Sequence, residues 1–223
     1  MRILCISDVH GYAGALSAVL AAAERRAWTK LLVAGDLVFP GPQPLETWRR
    51  LVSAGATMVQ GVTDKAIVTL DPDAITAQTE HERARLDRMR AVRAELGDVI
   101  LERIRRLPTS VRVPLEDGRE LVLVHGSPAD PAEAMSHDMT DEELLALVGD
   151  DPADVVVCGM SHVPFDRTVS DVRIVNVGSV GEAPDGAVGA FAHAAFIESS
   201  PSGIVVEPIT VPIAPEPSLL RHG

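Results

Sequence analysis

Asp8, His10, Asp36, His125 and His162 share one kind of place in the sequence: each lies just past a short apolar run, with glycine close by. The run Ile3-Leu4-Cys5-Ile6 stops at Ser7-Asp8-Val9-His10-Gly11, and Leu31-Leu32-Val33-Ala34 stops at Gly35-Asp36. Leu121-Val122-Leu123-Val124 ends in His125-Gly126, and Val155-Val156-Val157-Cys158 ends in Gly159-Met160-Ser161-His162. A further run, Met58-Val59-Gln60, ends in Gly61-Val62-Thr63-Asp64. Continuous apolar runs of this length read as buried strands, and in α/β sheets ligands gather beyond the strands' carboxyl ends. Taken singly, a histidine at a strand end is a satisfied structural residue and a Gly-Asp pair is a turn. Their recurrence points instead to one shared metal site. A mixture of carboxylates and imidazoles suits manganese, iron or zinc, whereas calcium and magnesium favour all-oxygen shells. An aspartate standing between two such positions can bridge two cations, the arrangement that clamps an in-line phosphoryl displacement. The spacing therefore favours a metal-dependent hydrolase over an α/β domain without a site.

Other chemistries find little support. The chain has no glycine-rich phosphate loop ending in Gly-Lys-Ser/Thr, no Gly-x-Ser-x-Gly elbow and no Cys-x-x-Cys pair. His125-Gly126-Ser127 puts a hydroxyl near a base, but neighbouring residues at a strand end point apart. The net charge of −12 repels a polyanion, and 3% aromatic residues leave few stacking platforms, so general nucleic-acid binding is disfavoured. A small phosphorylated substrate stays compatible, because a bound cation inverts the local field.

The elements that must position these residues follow from the rest of the pattern. With 46% apolar and 23% charged residues over 223 positions, the composition is that of a globular protein with a sizeable core. We expect one domain over residues 1–213 and a loose tail over 214–223, which holds His222. A strand from Arg2 to Ser7 precedes a helix whose Leu16, Val19, Leu20 and Ala23 share one face. A second strand ends at Asp36, the loop Phe39-Pro40-Gly41-Pro42 follows, and a helix from Leu45 to Ala54 leads to a third strand at Thr57–Gln60. Asp73 to Leu107 reads as a long helical stretch broken near Gly97-Asp98, with an arginine-rich face balanced by acids. Val111–Pro114 and Arg119–Val124 form a hairpin through an Asp-Gly turn, and Thr140 to Glu143 opens a short helix. Strands at Asp154–Cys158, Phe165–Ser170, Val172–Val177, Ala190–Glu198 and Ile204–Val211 suggest a second, largely antiparallel sheet. Cys5 and Cys158 fall inside core strands and imply no disulfide framework. Without a membrane-length apolar run or a leader-like N-terminus, the expected location is the cytoplasm. His81, His137 and His193 receive no role.

The series Asp8-Val9-His10, Gly35-Asp36, Gly61-Val62-Thr63-Asp64, His125-Gly126-Ser127-Pro128, Gly159-Met160-Ser161-His162 and Asn176-Val177-Gly178-Ser179-Val180-Gly181 resembles the calcineurin-like metallophosphoesterases, and their small bacterial branch most of all. The resemblance implies an αββα sandwich, two face-to-face β-sheets flanked by helices, with a dinuclear centre at the strand ends. It assigns Asp8, His10, Asp36 and His162 to the first metal. It assigns Asp36 and His125 to the second, and gives Asp64 an orienting role. Manganese is the first candidate, with iron or zinc as the others, one or two ions per chain.

Two positions depart from that pattern. Val62 stands where the family has Asn, and Met160 where it has His. An isopropyl group cannot coordinate, and a thioether is a poor ligand for manganese or zinc. Both losses fall on the second metal. One reading keeps a single metal and frees His125 as general acid to the leaving oxygen. Another keeps a weakly held second metal through Asp36, His125 and substrate oxygens, with Thr63 or Ser161 assisting. The alternative is a catalytically impaired relative that binds a phosphorylated ligand or a protein partner. The branch also carries a basic residue soon after the Asn-x-Gly-Ser turn, where this chain has Glu182-Ala183-Pro184.

Overall fold

The computed structural model describes residues 1–213; the tail expected over 214–223 lies outside the described residues. Strand β1 (Arg2–Ile6) shows why its sequence is apolar from Ile3 onward. Side chains alternate across a strand, so Leu4 and Ile6 enter the core beneath the helices with Leu16 and Val19. Ile3 and Cys5 point the other way, into a second core shared with Leu121, Leu123, Val155 and Val157. Both faces are covered, and no polar alternation is possible.

The first half follows the expected rhythm. Helix α1 (Ala13–Glu24), strand β2 (Lys30–Val33), helix α2 (Pro44–Ser53) and strand β3 (Thr57–Met58) come in order, with β1–β2 and β2–β3 parallel. Helix α3 (Val62–Thr69) was not expected. Its start carries no Ser, Thr, Asp or Asn cap. Gly61 takes the cap position, and the Asp64 carboxylate reaches back to the Gly61 N–H at 3.0 Å. Helix α4 (Glu80–Arg105) begins seven residues later than the stretch read from sequence, at a capping box of Thr79 and Glu82, and kinks at Gly97 with φ 69°. Part of its arginine face is the expected solvated ladder, with Arg90 on Asp87 and Arg105 on Glu102. Other arginines fasten the helix down instead. Arg88 donates to the carbonyls of Pro40 and Gly41, and Arg93 to those of Ile67 and Leu70.

The second half corrects the expected antiparallel sheet. Strands β4 (Ser110–Pro114) and β5 (Glu120–Val124) form the hairpin, and helix α5 (Asp141–Val148) crosses to β6 (Val155–Cys158). A crossover of that length makes the β5–β6 pair parallel, and β6 pairs parallel with β8 (Val172–Asn176). Antiparallel pairing is confined to the β4–β5 and β7–β8 edges, with β7 at Phe165–Val169. Strands β9 (Phe191–Ser200) and β10 (Gly203–Pro212) leave this sheet altogether and complete the first one. The orders are β10-β9-β1-β2-β3 and β4-β5-β6-β8-β7. The reason is packing: Ala195 and Ile197 of β9 fill the space between the sheets, while Ala194 and Phe196 face α1. Two five-stranded mixed sheets thus lie face to face between helices, an αββα sandwich. Among the described residues, no helix is long and apolar enough to cross a membrane.

Candidate metal centre

The sandwich brings the loops after β1, β2, β5 and β6 to one place, and with them Asp8, His10, Asp36, His125 and His162. The donor atoms of Asp8, His10 and His162 lie within 4.8 Å of one another, as do those of Asp8, Asp36 and His125. All of these residues except His162 are buried, and His162 is partly so.

Each histidine is oriented by the same device. The Nδ1 of His10 stands 2.6 Å from the Phe39 carbonyl, that of His125 2.6 Å from the Ala34 carbonyl, and that of His162 3.1 Å from the Ala183 carbonyl. A carbonyl only accepts, so Nδ1 carries a proton and Nε2 faces the cluster, where its lone pair becomes available once its own proton is displaced. The carboxylates are split likewise. Asp8 Oδ2 accepts from the Met160 N–H at 3.0 Å, and Asp36 Oδ1 from the Thr63 N–H at 2.8 Å. Their other oxygens turn inward. Asp8 Oδ1 lies 3.2 Å from His162 Nε2 and 3.6 Å from His10 Nε2. Asp36 Oδ2 lies 3.5 Å from His125 Nε2 and 3.9 Å from His10 Nε2, so it stands between the two histidines.

Two observations mark this as a site. Asp8, His10, Asp36, Met160 and His162 all have φ between 52° and 66°, the left-handed region that costs energy for side chains other than glycine. Asp8 Oδ1 and His125 Nε2 are buried without a hydrogen-bond partner. They are two of seven such side-chain atoms among the described residues, and both belong to the cluster. The chemistry of the donor set, imidazole nitrogens with carboxylate oxygens, fits a divalent transition cation.

The electrostatics of the metal-free centre agree. Burial pushes the Asp8 carboxyl up, but His10, His162 and His125 overcome it and hold it well below the usual range. Asp36 is also held low, against burial, by His125 and His10. Burial disfavours the charged His10 and His125, yet the aspartates raise them to about 9 and about 10. These are charges that a cation would replace.

The structure places the remaining residues more plainly. Asp64 is fully buried, raised to about 6 by burial and then by the Asp36 charge, and accepts from the N–H groups of Leu37 and Gly61. It ties the β2–α2 loop to the start of α3. Thr63 Oγ1 and Ser161 Oγ point at the carbonyls of Phe39 and Val163, each at 3.4 Å. Gly159 has a physical reason: a Cβ there would stand 1.9 Å from Ser7 Oγ and 2.5 Å from Asp8 Oδ2. Asn176 Nδ2 donates to the Gly159 carbonyl at 2.6 Å and Ser179 Oγ to the Asp8 carbonyl at 3.0 Å, so that turn braces both loops. His81 and His137 are exposed, and His193 contacts Thr210 on the sheet.

The sequence profile of the calcineurin-like phosphoesterase superfamily domain matches residues 1–198. The chain belongs to this superfamily. Its fold is shared by hypothetical protein PH1004 of Pyrococcus horikoshii OT3, at a TM-score of 0.78 and 21% identity over 96% of this chain and 88% of that one. A metallophosphoesterase of Sphaerobacter thermophilus aligns at 0.70 and 24% identity, over 95% of this chain and 89% of that one. Yfce, a phosphoesterase of E. coli, aligns at 0.52 and 20% identity, covering 96% and 100%. No curated protein matches the sequence. The superfamily accounts for the order of the site loops. Of the two departures from the family pattern, Val62 opens α3 after Gly61, and Met160 gives its N–H to Asp8.

Sequence reading missed one residue at the centre. Glu182 Oε2 lies 3.7 Å from His10 Nε2, on the loop after β8. The signal was present, an acid where the branch has a basic residue, but its position beside His10 follows only from the folded loop.

Proposed function

We propose that this chain is a divalent-cation-dependent phosphoesterase acting on a small phosphorylated substrate. The observation that carries this reading is the common orientation of three histidines, each fixed through Nδ1 by a backbone carbonyl with Nε2 facing two inward carboxylate oxygens. Packing alone gives no reason for open polar atoms at Asp8 Oδ1 and His125 Nε2. His10, His162, Asp8 and Asp36 would hold the principal cation, and Asp8, Asp36 and His125 a weaker one. Manganese fits the donor set best, with iron or zinc next. A bound cation would lower the pKa of water and polarise a phosphoryl oxygen. The chain's own residues supply orientation: the carbonyls of Phe39, Ala34 and Ala183 fix the rings, and Asp64 fixes the loops that carry Asp36.

The burial of His125, whose side chain is 1% exposed behind Asp36, supports a ligand over a separate general acid. A proton donor must reach the leaving oxygen, and the accessible side of the centre is formed by His162 and Glu182, 13% and 10% exposed. A net charge of −12 supports a small substrate over nucleic acid. Buried, unpaired Cys5 and Cys158 suit a reducing cytoplasm.

The test is metal content per chain after equilibration with manganese, beside turnover of a chromogenic phosphodiester. Wild type and the Val62→Asn/Met160→His double variant are compared. We expect at least one ion per chain and turnover in the wild type, with more of both in the double variant. Metal and turnover in the double variant alone would indicate the impaired relative. Neither protein binding metal would overturn the assignment.

A further inference from the structure

The accessible side of the centre carries a carboxylate that no part of the family pattern supplies. Segment 178–183 is sewn to the loop after β1 by backbone contacts. The Val180 N–H donates to the Ser7 carbonyl at 3.0 Å, and the Gly181 N–H to the Asp8 carbonyl at 2.9 Å. The Glu182 N–H donates to Ser179 Oγ at 3.0 Å, and that hydroxyl in turn holds the Asp8 carbonyl. Gly181 has no room for a side chain, since a Cβ would stand 2.4 Å from the Val9 carbonyl oxygen. The chain therefore lies flat on the Asp8–His10 loop, and the next side chain is delivered to the centre. The following residue, Ala183, accepts from His162 Nδ1. One short loop both orients a histidine and presents Glu182.

Distances around His10 Nε2 give the reason to count Glu182 among the donors. His162 Nε2 is 3.2 Å away, Asp8 Oδ1 3.6 Å, Glu182 Oε2 3.7 Å and Asp36 Oδ2 3.9 Å. Atoms that share a cation at about 2.1 Å stand roughly 3.0–4.2 Å apart, depending on the angle between them. All four fall in that range of His10, whereas Glu182 is outside the two sets of donors that lie within 4.8 Å of one another, so its side chain would have to rotate inward to share the cation. Among the described residues, the Glu182 carboxylate has no arginine or lysine partner within 4 Å; His10 lies within that distance, and Arg85 acts on it from further away.

Resting on the phosphoesterase reading above, we propose that Glu182 is an additional ligand of the principal cation. It would complete a five-donor set with His10, His162, Asp8 and Asp36 on the accessible side. The His125 half, where Val62 and Met160 supply nothing, gains no such donor. A third carboxylate hardens the site and favours manganese or iron over zinc.

The experiment is a manganese titration of the full chain, read by the electron paramagnetic resonance signal of free manganese. Water-proton relaxation then counts exchangeable waters on the bound ion. Wild type, Glu182→Ala and, as a control on the same loop, the exposed Asp185→Ala are compared. Melting curves in chelator confirm that each variant folds. We expect Glu182→Ala to weaken the tight site about 10- to 100-fold and to add one exchangeable water, with Asp185→Ala unchanged. Wild-type affinity in Glu182→Ala would overturn the proposal. So would weaker binding with the same water count, which would leave Glu182 as a charge acting from outside the shell. A wild type that binds no manganese would instead overturn the phosphoesterase reading itself.

Discussion

The two halves of the centre are built by one device and end differently. Around His10 and His162, two rings fixed by backbone carbonyls meet Asp8, Asp36 and Glu182, and a rim of His162 and Glu182 stays open. Around His125, a ring fixed in the same way by Ala34 meets Asp36 and Asp8 but is closed off, with its Nε2 unpartnered. On the proposed reading, the number of donors that the neighbouring loops add would decide how well a cation is held, and the open half would have more of them. Asp8 and Asp36 belong to both halves, so on the reading proposed above the two positions are coupled.

The most damaging change should therefore be at a shared carboxylate. Asp8→Ala is expected to abolish cation binding at both positions and to lower turnover about a thousandfold or more, the equivalent of several kcal/mol of lost charge stabilisation. Retention of either metal position, measured by elemental analysis, would show that the halves are independent.

His125→Ala sharpens the contrast from the closed side. If His125 is a ligand, the weaker ion and turnover should fall together, by about 10- to 100-fold. Turnover falling while metal content stays would restore the separate acid role.

Acidity tests the charge balance of both halves at once. In the metal-free chain His10 and His125 are raised from 6.5 to about 9 and about 10. Their stabilising contribution is complete below the ordinary value and lost as pH rises through 9 to 10. Asp8 and Asp36 are lowered instead, so their contribution is present above the ordinary carboxylate range and lost in acid. A bound cation would compete with the histidine protons and should bind better as pH rises. The melting temperature of metal-loaded protein should exceed that of chelated protein by about 5–10 °C at saturation, with the gap widening from pH 6 to pH 9. A gap independent of pH would mean that the cation does not replace those protons.

The smallest effect is expected away from both halves. Asp64→Asn keeps the shape but leaves one of the Leu37 and Gly61 N–H groups poorly served. That should cost about 1–3 kcal/mol and a few degrees of melting temperature, with metal content kept. Loss of metal with unchanged melting would make Asp64 part of the centre rather than its brace.

The sequence by itself determined that five apolar runs end in chemistry-bearing loops, because a strand covered on both faces has no alternative to apolar residues. Ile3 to Ile6 and Val155 to Cys158 could be read this way residue by residue. The hairpin at Glu116–Gly118 and the helix after Thr140 were legible for local reasons, a turn and a capping box. Helix α3 was not, since its cap is a glycine and its stabilising carboxylate, Asp64, was readable as a site residue. The destination of β9 and β10 depended on which sheet had space for Ala195 and Ile197, a question of tertiary packing with no local signature. Glu182 was decided the same way: only the close passage of Gly181 over Val9 turns an acid in a loop into a neighbour of His10.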